Sequence, residues 1–321
     1  MKRSNVVLAV GVFLFLTTAT TVIFAQQMPP EYAEILTYLN RKGDYLDGVL
    51  KVGIPRSDLQ MTVAGYRVPT PFGFGGWIAF AKGDKGMDVM MGDLVLLEDE
   101  VNPVMSAILA NGLEVTALHN HFFWEQPRVF FMHVHGHGKA LDIAHRVKNA
   151  LDLIGHIALG PPRNLSATEV SLVEGKLSTQ KIDEIIGHKG EVIGPVYKVT
   201  IGRDDLTLKD MGALVNSRMG LNTWAAFYGS DDKAVIAGDV AMLAPEVTHV
   251  LKALRDNGLD VVAIHHHMTG TDPMIIFLHY WGVGPAQKLA SGFKAALDKL
   301  GKRSAGHVHH NISEHHAEAG K

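Results

Sequence analysis

A histidine pattern occurs twice in this chain. Residues 117–133 read ALHNHFFWEQPRVFFMH, and residues 263–279 read AIHHHMTGTDPMIIFLH. In each, two histidines one residue apart precede a turn with a proline and an apolar run that ends in a third histidine. The two sets are His119, His121 and His133, and His265, His267 and His279. Imidazole nitrogens ligate transition metals, so the pattern predicts a metal site or a polar ligand pocket that was built once and duplicated.

The spacing within each set suits a β-hairpin. Side chains alternate along a strand, so His119 and His121 share one face. A turn centred on Gln126 places His133 opposite His119 on the returning strand, where side chains lie close together. We therefore expect three converging imidazoles, an arrangement suited to zinc with an open position for water. Iron(II), manganese and copper accept the same ligands, and neutral histidines can instead hydrogen-bond a ligand.

Glu125 adds a carboxylate on the turn of the first hairpin. If the protein is an enzyme, the expected chemistry is hydrolysis of an ester, amide or phosphoester by a metal-activated water. Glu125 would then be a fourth ligand or the catalytic base. The second unit has Thr271 in its place and lacks the additional His135 and His137 of the first. The first unit is therefore richer in candidate ligands.

Two other functions fit the same residues. One is a binding module without catalysis that captures a small polar or anionic molecule between the units. The other is a metal carrier whose C-terminal tail collects ions and passes them to the hairpins. The tail histidines are His307, His309, His310, His315 and His316. The sequence names neither a substrate nor an oligomeric state.

The repeat extends far beyond the histidines. The matching positions include Arg56 with Arg203, Asp58 with Asp205, Trp77 with Trp224, Gly92-Asp93 with Gly238-Asp239, and Glu100 with Glu246. A unit of this size is too long for a solenoid repeat, and two such units can pack about a pseudo-twofold axis. The predicted boundaries are 28–155 for the first unit, 156–178 for a connector and 179–301 for the second.

The repeated polar residues receive structural interpretations. We expect Arg56 and Asp58, like Arg203 and Asp205, to form structural salt bridges. Asp93 and Asp239 follow a glycine and are expected to shape a turn. Glu100 and Glu246 are expected at the start of a helix, where a carboxylate stabilises the helix dipole.

The apolar periodicity mixes helix and strand patterns within a unit. In the first unit it predicts helices over 32–41, 100–111 and 138–154, and strands over 46–52, 77–81, 88–97, 114–123 and 128–134. This order favours the α+β class: two tandem homologous units, each a largely antiparallel sheet covered by helices, packed as a pseudo-dimer.

The N-terminus indicates export. Lys2 and Arg3 precede an apolar segment, and Ala25 precedes polar residues, as in a secretory signal peptide over 1–25; an uncleaved anchor is the alternative. The absence of cysteine excludes disulfides and thiolate ligands. The net charge of −3, with interspersed signs, argues against nucleic-acid binding. We expect a periplasmic or secreted bacterial protein with no membrane span after cleavage and a disordered tail over 302–321.

Three motifs carry a resemblance to a known family. They are PRSDL at 55–59, GDLVL at 92–96, and NGLEVTALHNH at 111–121 followed by Glu125, Pro127-Arg128 and His133; the second unit is looser and ends in FLHYWG at 277–282. The chain thereby resembles the LppY/LpqO family of exported bacterial proteins and lipoproteins, built on a domain of unknown function. The resemblance implies export and a two-unit layout but brings no established activity. The chain departs from the lipoprotein members because it has no cysteine to acylate.

Overall fold

The computed structural model describes residues 27–156 and 175–301. The predicted signal peptide (1–25), most of the predicted connector (156–178) and the predicted tail (302–321) lie outside the described residues. Among the helices of the two described ranges, none combines the length and apolar character that crossing a bilayer requires.

The first unit contains three helices and nine strands within its described residues. In chain order they are α1 (Pro30–Leu39), β1 (Gly43–Leu46), β2 (Val49–Pro55), β3 (Met61–Val63), β4 (Tyr66–Val68), β5 (Gly75–Lys82), β6 (Asp88–Leu97), α2 (Glu98–Ala110), β7 (Glu114–His119), β8 (Glu125–Gln126), β9 (Val129–Gly138) and α3 (Ala140–Leu151).

The second unit repeats this order, except that no described strand corresponds to β8. Its elements are α4 (Thr179–Ile186), β10 (Glu191–Ile193), β11 (Val196–Gly202), β12 (Leu208–Asp210), β13 (Ala213–Val215), β14 (Asn222–Gly229), β15 (Ala234–Met242), α5 (Val247–Asp256), β16 (Asp260–His265), β17 (Ile276–Gly284) and α6 (Ala286–Leu297).

Each unit is built on a six-stranded antiparallel sheet. The strand orders are β1-β2-β5-β6-β9-β7 and β10-β11-β14-β15-β17-β16, which are equivalent under the repeat. The helices of each unit pack on one face of its sheet and enclose a separate apolar core. The predicted α+β class with two homologous units is confirmed.

The other face of each sheet packs against the other unit. The β3–β4 hairpin of the first unit shares a core with residues of the second unit's sheet, including Val196 and Val235. Reciprocally, the β12–β13 hairpin packs against β5 and β6 of the first unit, where Leu208 and Val215 join Ala79. Each unit therefore lends a hairpin to its neighbour, and burial of these apolar side chains drives the docking.

Short hairpins account for most differences from the predicted elements. The predicted strand over 46–52 is two strands, β1 and β2, because Asp47 and Gly48 both adopt a positive φ that suits a two-residue hairpin turn. Ala64 and Gly65 form the equivalent turn between β3 and β4. The last predicted helix begins at Ala140 rather than 138, since β9 continues through Gly138.

A buried ion-pair network recurs in each unit and includes the predicted Arg56–Asp58 and Arg203–Asp205 salt bridges. The Arg56 guanidinium is 1% exposed and donates to Glu100 at 2.6 Å, to Asp58 at 2.9 Å and to the Val95 carbonyl at 2.8 Å. The Glu100 carboxylate also accepts from the backbone amides of Leu97 and Gly155, each at 2.7 Å. Glu100 thereby joins the start of α2 to the segment that follows α3.

The second unit contains the same network. Arg203 donates to Glu246 at 2.8 Å, and Glu246 accepts from Leu243 and Gly301 at 2.7 Å. The repeated arginine, aspartate and glutamate are thus structural, because they bind one another and nearby backbone groups.

We predict that Glu100→Ala destabilises the protein by about 3–5 kcal/mol, since it removes the buried carboxylate partner of Arg56 and leaves only the half-exposed Asp58 to pair with that charge. Chemical denaturation of the purified protein measures the change. Asp99→Ala, an exposed position on the same helical turn, is the control and should change the free energy of unfolding by less than about 0.5 kcal/mol. A similar loss in both variants would contradict the assignment.

Candidate functional site

The two histidine sets meet where the edges of the two sheets come together. Strands β7 and β16 are edge strands, and they contact each other across the interface between the units. Each ends at the first histidine of its H-x-H pair, so the predicted strand over 114–123 is shorter than expected. The Thr116 hydroxyl donates to the His267 carbonyl at 2.6 Å and links these edges. The six predicted histidines therefore form one cluster, termed here the histidine cluster, instead of two separate hairpin sites.

Within the cluster, the three pairs with the shortest centroid distances each combine one histidine from each unit. His265 and His267, both of the second unit, have their Nε2 atoms 2.9 Å apart, at hydrogen-bond distance. The ring centroids are 3.7 Å apart for His119 and His265, which are equivalent under the repeat. They are 3.6 Å apart for His121 and His279, and 3.9 Å for His267 and His133. These last two pairs exchange places under the pseudo-twofold axis, which therefore passes near His119 and His265.

The register predicted for the first hairpin is wrong. His133 lies opposite Ala117, and His119 lies opposite Phe131, with an irregularity between Val115 and Ala117. The second hairpin has the same register, with His279 opposite Ala263 and His265 opposite Phe277, although only the first unit has the β8–β3 pairing. The register therefore belongs to the repeat, in which a long connection replaces the predicted tight turn. Even so, His119 and His133 keep ring centroids 5.0 Å apart, and His119 and His121 keep theirs 5.1 Å apart.

Four members of the cluster are placed to share one metal ion. One ring nitrogen from each of His119, His265, His267 and His279 lies within 4.8 Å of the others. Two nitrogens bound tetrahedrally to zinc, each at 2.0–2.1 Å, would be roughly 3.4 Å apart. A small inward movement of the rings would reach that spacing. One ligand comes from the first unit and three from the second.

Burial keeps these imidazoles neutral. It lowers the pKa of His119 to about 4 and that of His265, with a further contribution from His119, to about 2. Burial, followed by repulsion from neighbouring histidines, sets the pKa of the other four well below the usual range. A neutral imidazole is the form that binds a metal ion, so the cluster needs no deprotonation before binding.

Several ring nitrogens are buried without a hydrogen-bond partner in the described part of the chain. They include Nε2 of His119, Nδ1 of His265 and Nε2 of His279. A buried polar atom without a partner costs about 1–3 kcal/mol. Coordination to a metal would give a partner to an imidazole of the group of four, so the donor set fits a divalent ion. Buried nitrogens of His121 and His133, outside that group, also have no partner among the described residues.

Two carboxylates that were not predicted as site residues lie beside the cluster. Asp93 is the cross-strand neighbour of His133, with Oδ1 4.0 Å from Nε2. Asp239 is the cross-strand neighbour of His279, and its Oδ2 lies 3.7 Å from His267 Nε2. Burial raises the pKa of Asp93 to about 7, and burial together with Asp93 raises that of Asp239 well above its usual range.

The prediction that these aspartates shape a turn is wrong, because both lie in the middle of a strand. The preceding glycines are required by packing. A Cβ on Gly92 would lie 2.8 Å from Ile78 and 2.9 Å from Val134, and one on Gly238 would lie 2.2 Å from the Tyr280 hydroxyl oxygen. The sequence did contain a signal for these aspartates. The Gly-Asp dipeptide lies at the same distance along the chain from the cluster histidines in both units.

A cavity of about 890 Å³ adjoins the cluster and is lined by both units. Its walls include His121, His133, His267, Asp93, Asp239, Lys51, Lys198, Trp77, Trp224 and Arg218. It is large enough for a small molecule. The cluster thus has a route to a ligand-sized space.

Family comparison confirms the duplication. A family model described as Domain of Unknown Function (DUF1259) matches the chain twice, at residues 33–153 and 180–299. The chain belongs to the DUF1259 family. A search of curated proteins gives no match.

Two solved structures are similar to this DUF1259 protein at low sequence identity. EtuB from Clostridium kluyveri is 11% identical, with 80% of this chain and 90% of that chain covered. A trimeric bacterial microcompartment shell protein, PduB, is 13% identical, with 81% and 92% covered. The TM-score is 0.20 in both cases, so neither likeness carries a structural or functional argument.

The remaining polar candidates of the DUF1259 protein have other surroundings. Glu125 is buried on β8, opposite Val63 of β3, and 3.8 Å from the Arg128 guanidinium. It is not among the residues that line the cavity, and burial raises its pKa. His135 lies 2.7 Å from Asp210 and so links the two units.

We predict that His267→Ala weakens zinc binding by at least about 100-fold, beyond the 10- to 100-fold typical of a residue that only orients a ligand. His121→Ala is the matched control, because His121 is the repeat equivalent of His267 but lies outside the group of four. Competition with a chromophoric chelator measures both affinities. Equal losses in the two variants would refute the proposed ligand set.

Proposed function

We propose that this DUF1259 protein is an exported divalent-metal-binding protein whose centre is formed jointly by its two units. The observation that carries the proposal is the convergence of ring nitrogens from His119, His265, His267 and His279 within 4.8 Å. Their neutral state and their unpartnered nitrogens support the same conclusion.

Zinc is the preferred ion. Four neutral nitrogen donors in a compact, largely buried group suit its tetrahedral coordination. Iron(II), manganese and copper remain alternatives for an all-imidazole site, since such ligands do not select strongly among them. His121 and His133 stand beside the group of four, each in close ring contact with one proposed ligand, and would hold those rings in place.

Export is the second part of the proposal. It is supported by the composition of residues 1–25 and by the resemblance to the LppY/LpqO family, whose members are exported. A periplasmic or secreted location fits the absence of cysteine, because a histidine-based metal centre is not affected by an oxidising compartment.

We predict about one divalent ion per chain in the mature protein that begins after Ala25, measured by inductively coupled plasma mass spectrometry after zinc reconstitution and desalting. A version ending at Gly301 should retain the ion, because every proposed ligand precedes that residue. A metal carrier that depends on its tail would lose most of its metal on this truncation.

Two double variants complete the measurement. His119→Ala/His279→Ala should reduce the metal to background, whereas His137→Ala/His188→Ala, at two exposed histidines, should not change it. Background metal in the unaltered protein, or about two ions per chain, would contradict a single shared centre.

Hydrolysis is a second candidate function, and one observation favours it. Asp93 and Asp239 line the cavity at the point where it meets the histidine cluster, so a carboxylate lies beside any ligand held there. A bound divalent ion would supply Lewis acidity and an activated water if it accepted a fifth ligand, because four histidines already complete a tetrahedral site. Asp93 and Asp239 would hold or move a proton, one of the two roles that the sequence suggested for Glu125.

We predict that zinc-reconstituted protein hydrolyses p-nitrophenyl phosphate or p-nitrophenyl acetate, and that Asp93→Asn/Asp239→Asn reduces kcat by about 100-fold or more while zinc content is unchanged. Glu125→Gln should retain activity, because Glu125 is outside the cavity wall. Activity that survives in the aspartate variant would exclude these carboxylates from the reaction.

A further inference from the structure

The cavity beside the histidine cluster presents two equivalent lysines. Lys51 is on β2 and Lys198 on β11, and both line the cavity. The Lys51 ammonium lies 4.3 Å from the centre of the Trp77 ring, and the Lys198 ammonium lies 4.3 Å from the centre of the Trp224 ring. Each lysine head is therefore positioned by an aromatic ring and is not free to extend into solvent.

Neither lysine is neutralised by an ion pair. Within the described ranges no carboxylate lies within 4.0 Å of either ammonium group. Asp44, the cross-strand neighbour of Lys51, is instead bound by Arg218 at 2.6 Å. Burial, followed by the charges of Lys198 and Arg218, lowers the pKa of Lys51 to about 8. Glu191 is the cross-strand neighbour of Lys198. Within the described ranges, however, neither ammonium group has the close carboxylate partner that half-buried cations normally have.

The charge balance of the cavity wall favours an anion. The charged residues that line it are Lys42, Lys51, Lys198, Arg218, Asp44, Asp93, Asp239 and Glu191. Asp44 and Arg218 neutralise each other. Asp93 and Asp239 face the histidine cluster, with carboxylate oxygens 4.0 Å from His133 Nε2 and 3.7 Å from His267 Nε2. Among the other charged residues, three lysines then oppose one glutamate.

The wall also differs between its two halves. Arg218 and Asn222 of the second unit line the cavity at positions where the first unit has Pro71 and Gly75. These extra donors are on one side of the pseudo-twofold axis only. A single ligand would therefore bind in one orientation, with its polar end towards Arg218 and Asn222.

We propose that this cavity binds one small oxyanion, a carboxylate or phosphate compound, held between Lys51 and Lys198 beside the histidine cluster. The volume of about 890 Å³ accommodates a molecule much larger than the anionic group alone. The inference goes beyond the metal proposal, since lysine ammonium groups bind an oxyanion without any metal ion.

Isothermal titration calorimetry on chelator-treated mature protein at low ionic strength tests the proposal. The probes are inorganic phosphate and succinate, titrated separately, and the tighter of the two identifies the anionic class. We expect saturable binding of at least one probe at about one molecule per chain. Lys51→Met/Lys198→Met should weaken this binding by at least about tenfold, because methionine retains the length of the side chain but not its charge.

Matched variants make the outcome decisive. Lys189→Met/Lys209→Met removes the same charge from exposed positions outside the cavity wall and should bind the probe as the unaltered protein does. If the cavity double variant does not fold, the single variants Lys51→Met and Lys198→Met replace it. Absence of saturable binding of both probes by the unaltered protein, or equal affinity in the cavity and control variants, overturns the proposal.

The same samples separate this inference from the metal centre. Zinc content after reconstitution should be equal in the cavity variant and the unaltered protein, because neither lysine is a proposed ligand. Loss of the metal proposal would leave anion binding by the chelator-treated protein intact. Loss of anion binding would leave zinc content intact.

Discussion

Docking of the two units on each other is the constraint on which the whole site depends. Each unit buries one sheet face under its own helices and leaves the opposite face apolar. The exchanged hairpins β3–β4 and β12–β13 complete that second face from the neighbouring unit. The edge strands β7 and β16 are brought together as a result, and with them His119 and His265. The first unit supplies one of the four proposed ligands and the second unit supplies three, so the complete group exists only when the units are docked.

The sequence predicted those features of the fold that depend on neighbouring residues in the chain. The strand β6 and the antiparallel class follow from periodicity and were found as expected. The register at His133 was not, because a long connection over 120–128 replaces the predicted tight turn, and an apolar pattern does not fix the pairing across such a connection. The merging of two predicted sites into one depends on contacts between units, which no pattern within a repeat encodes.

Repetition alone did not separate structural from functional residues. Arg56 and Asp93 both recur in the second unit, and both are polar residues in an apolar environment. Arg56 is fully engaged by Glu100, Asp58 and a carbonyl, so its repetition follows from folding. Asp93 keeps a buried oxygen without a hydrogen-bond partner among the described residues and faces the histidines. The difference lies in the partners, which only the three-dimensional structure reveals.

Because the two units belong to one chain, their sequences can differ, whereas the two subunits of a homodimer are identical. In a symmetric homodimer, residues on the twofold axis must be matched by identical residues from the partner, so a ligand on the axis meets the same groups twice. Here the two halves have diverged: His267 is in the group of four while His121 is beside it, and Arg218 has Pro71 as its counterpart. The symmetric packing is retained in the sheets, where it stabilises the fold. The asymmetry is concentrated at the cluster and the cavity, where a single metal ion and a single oriented ligand would require it.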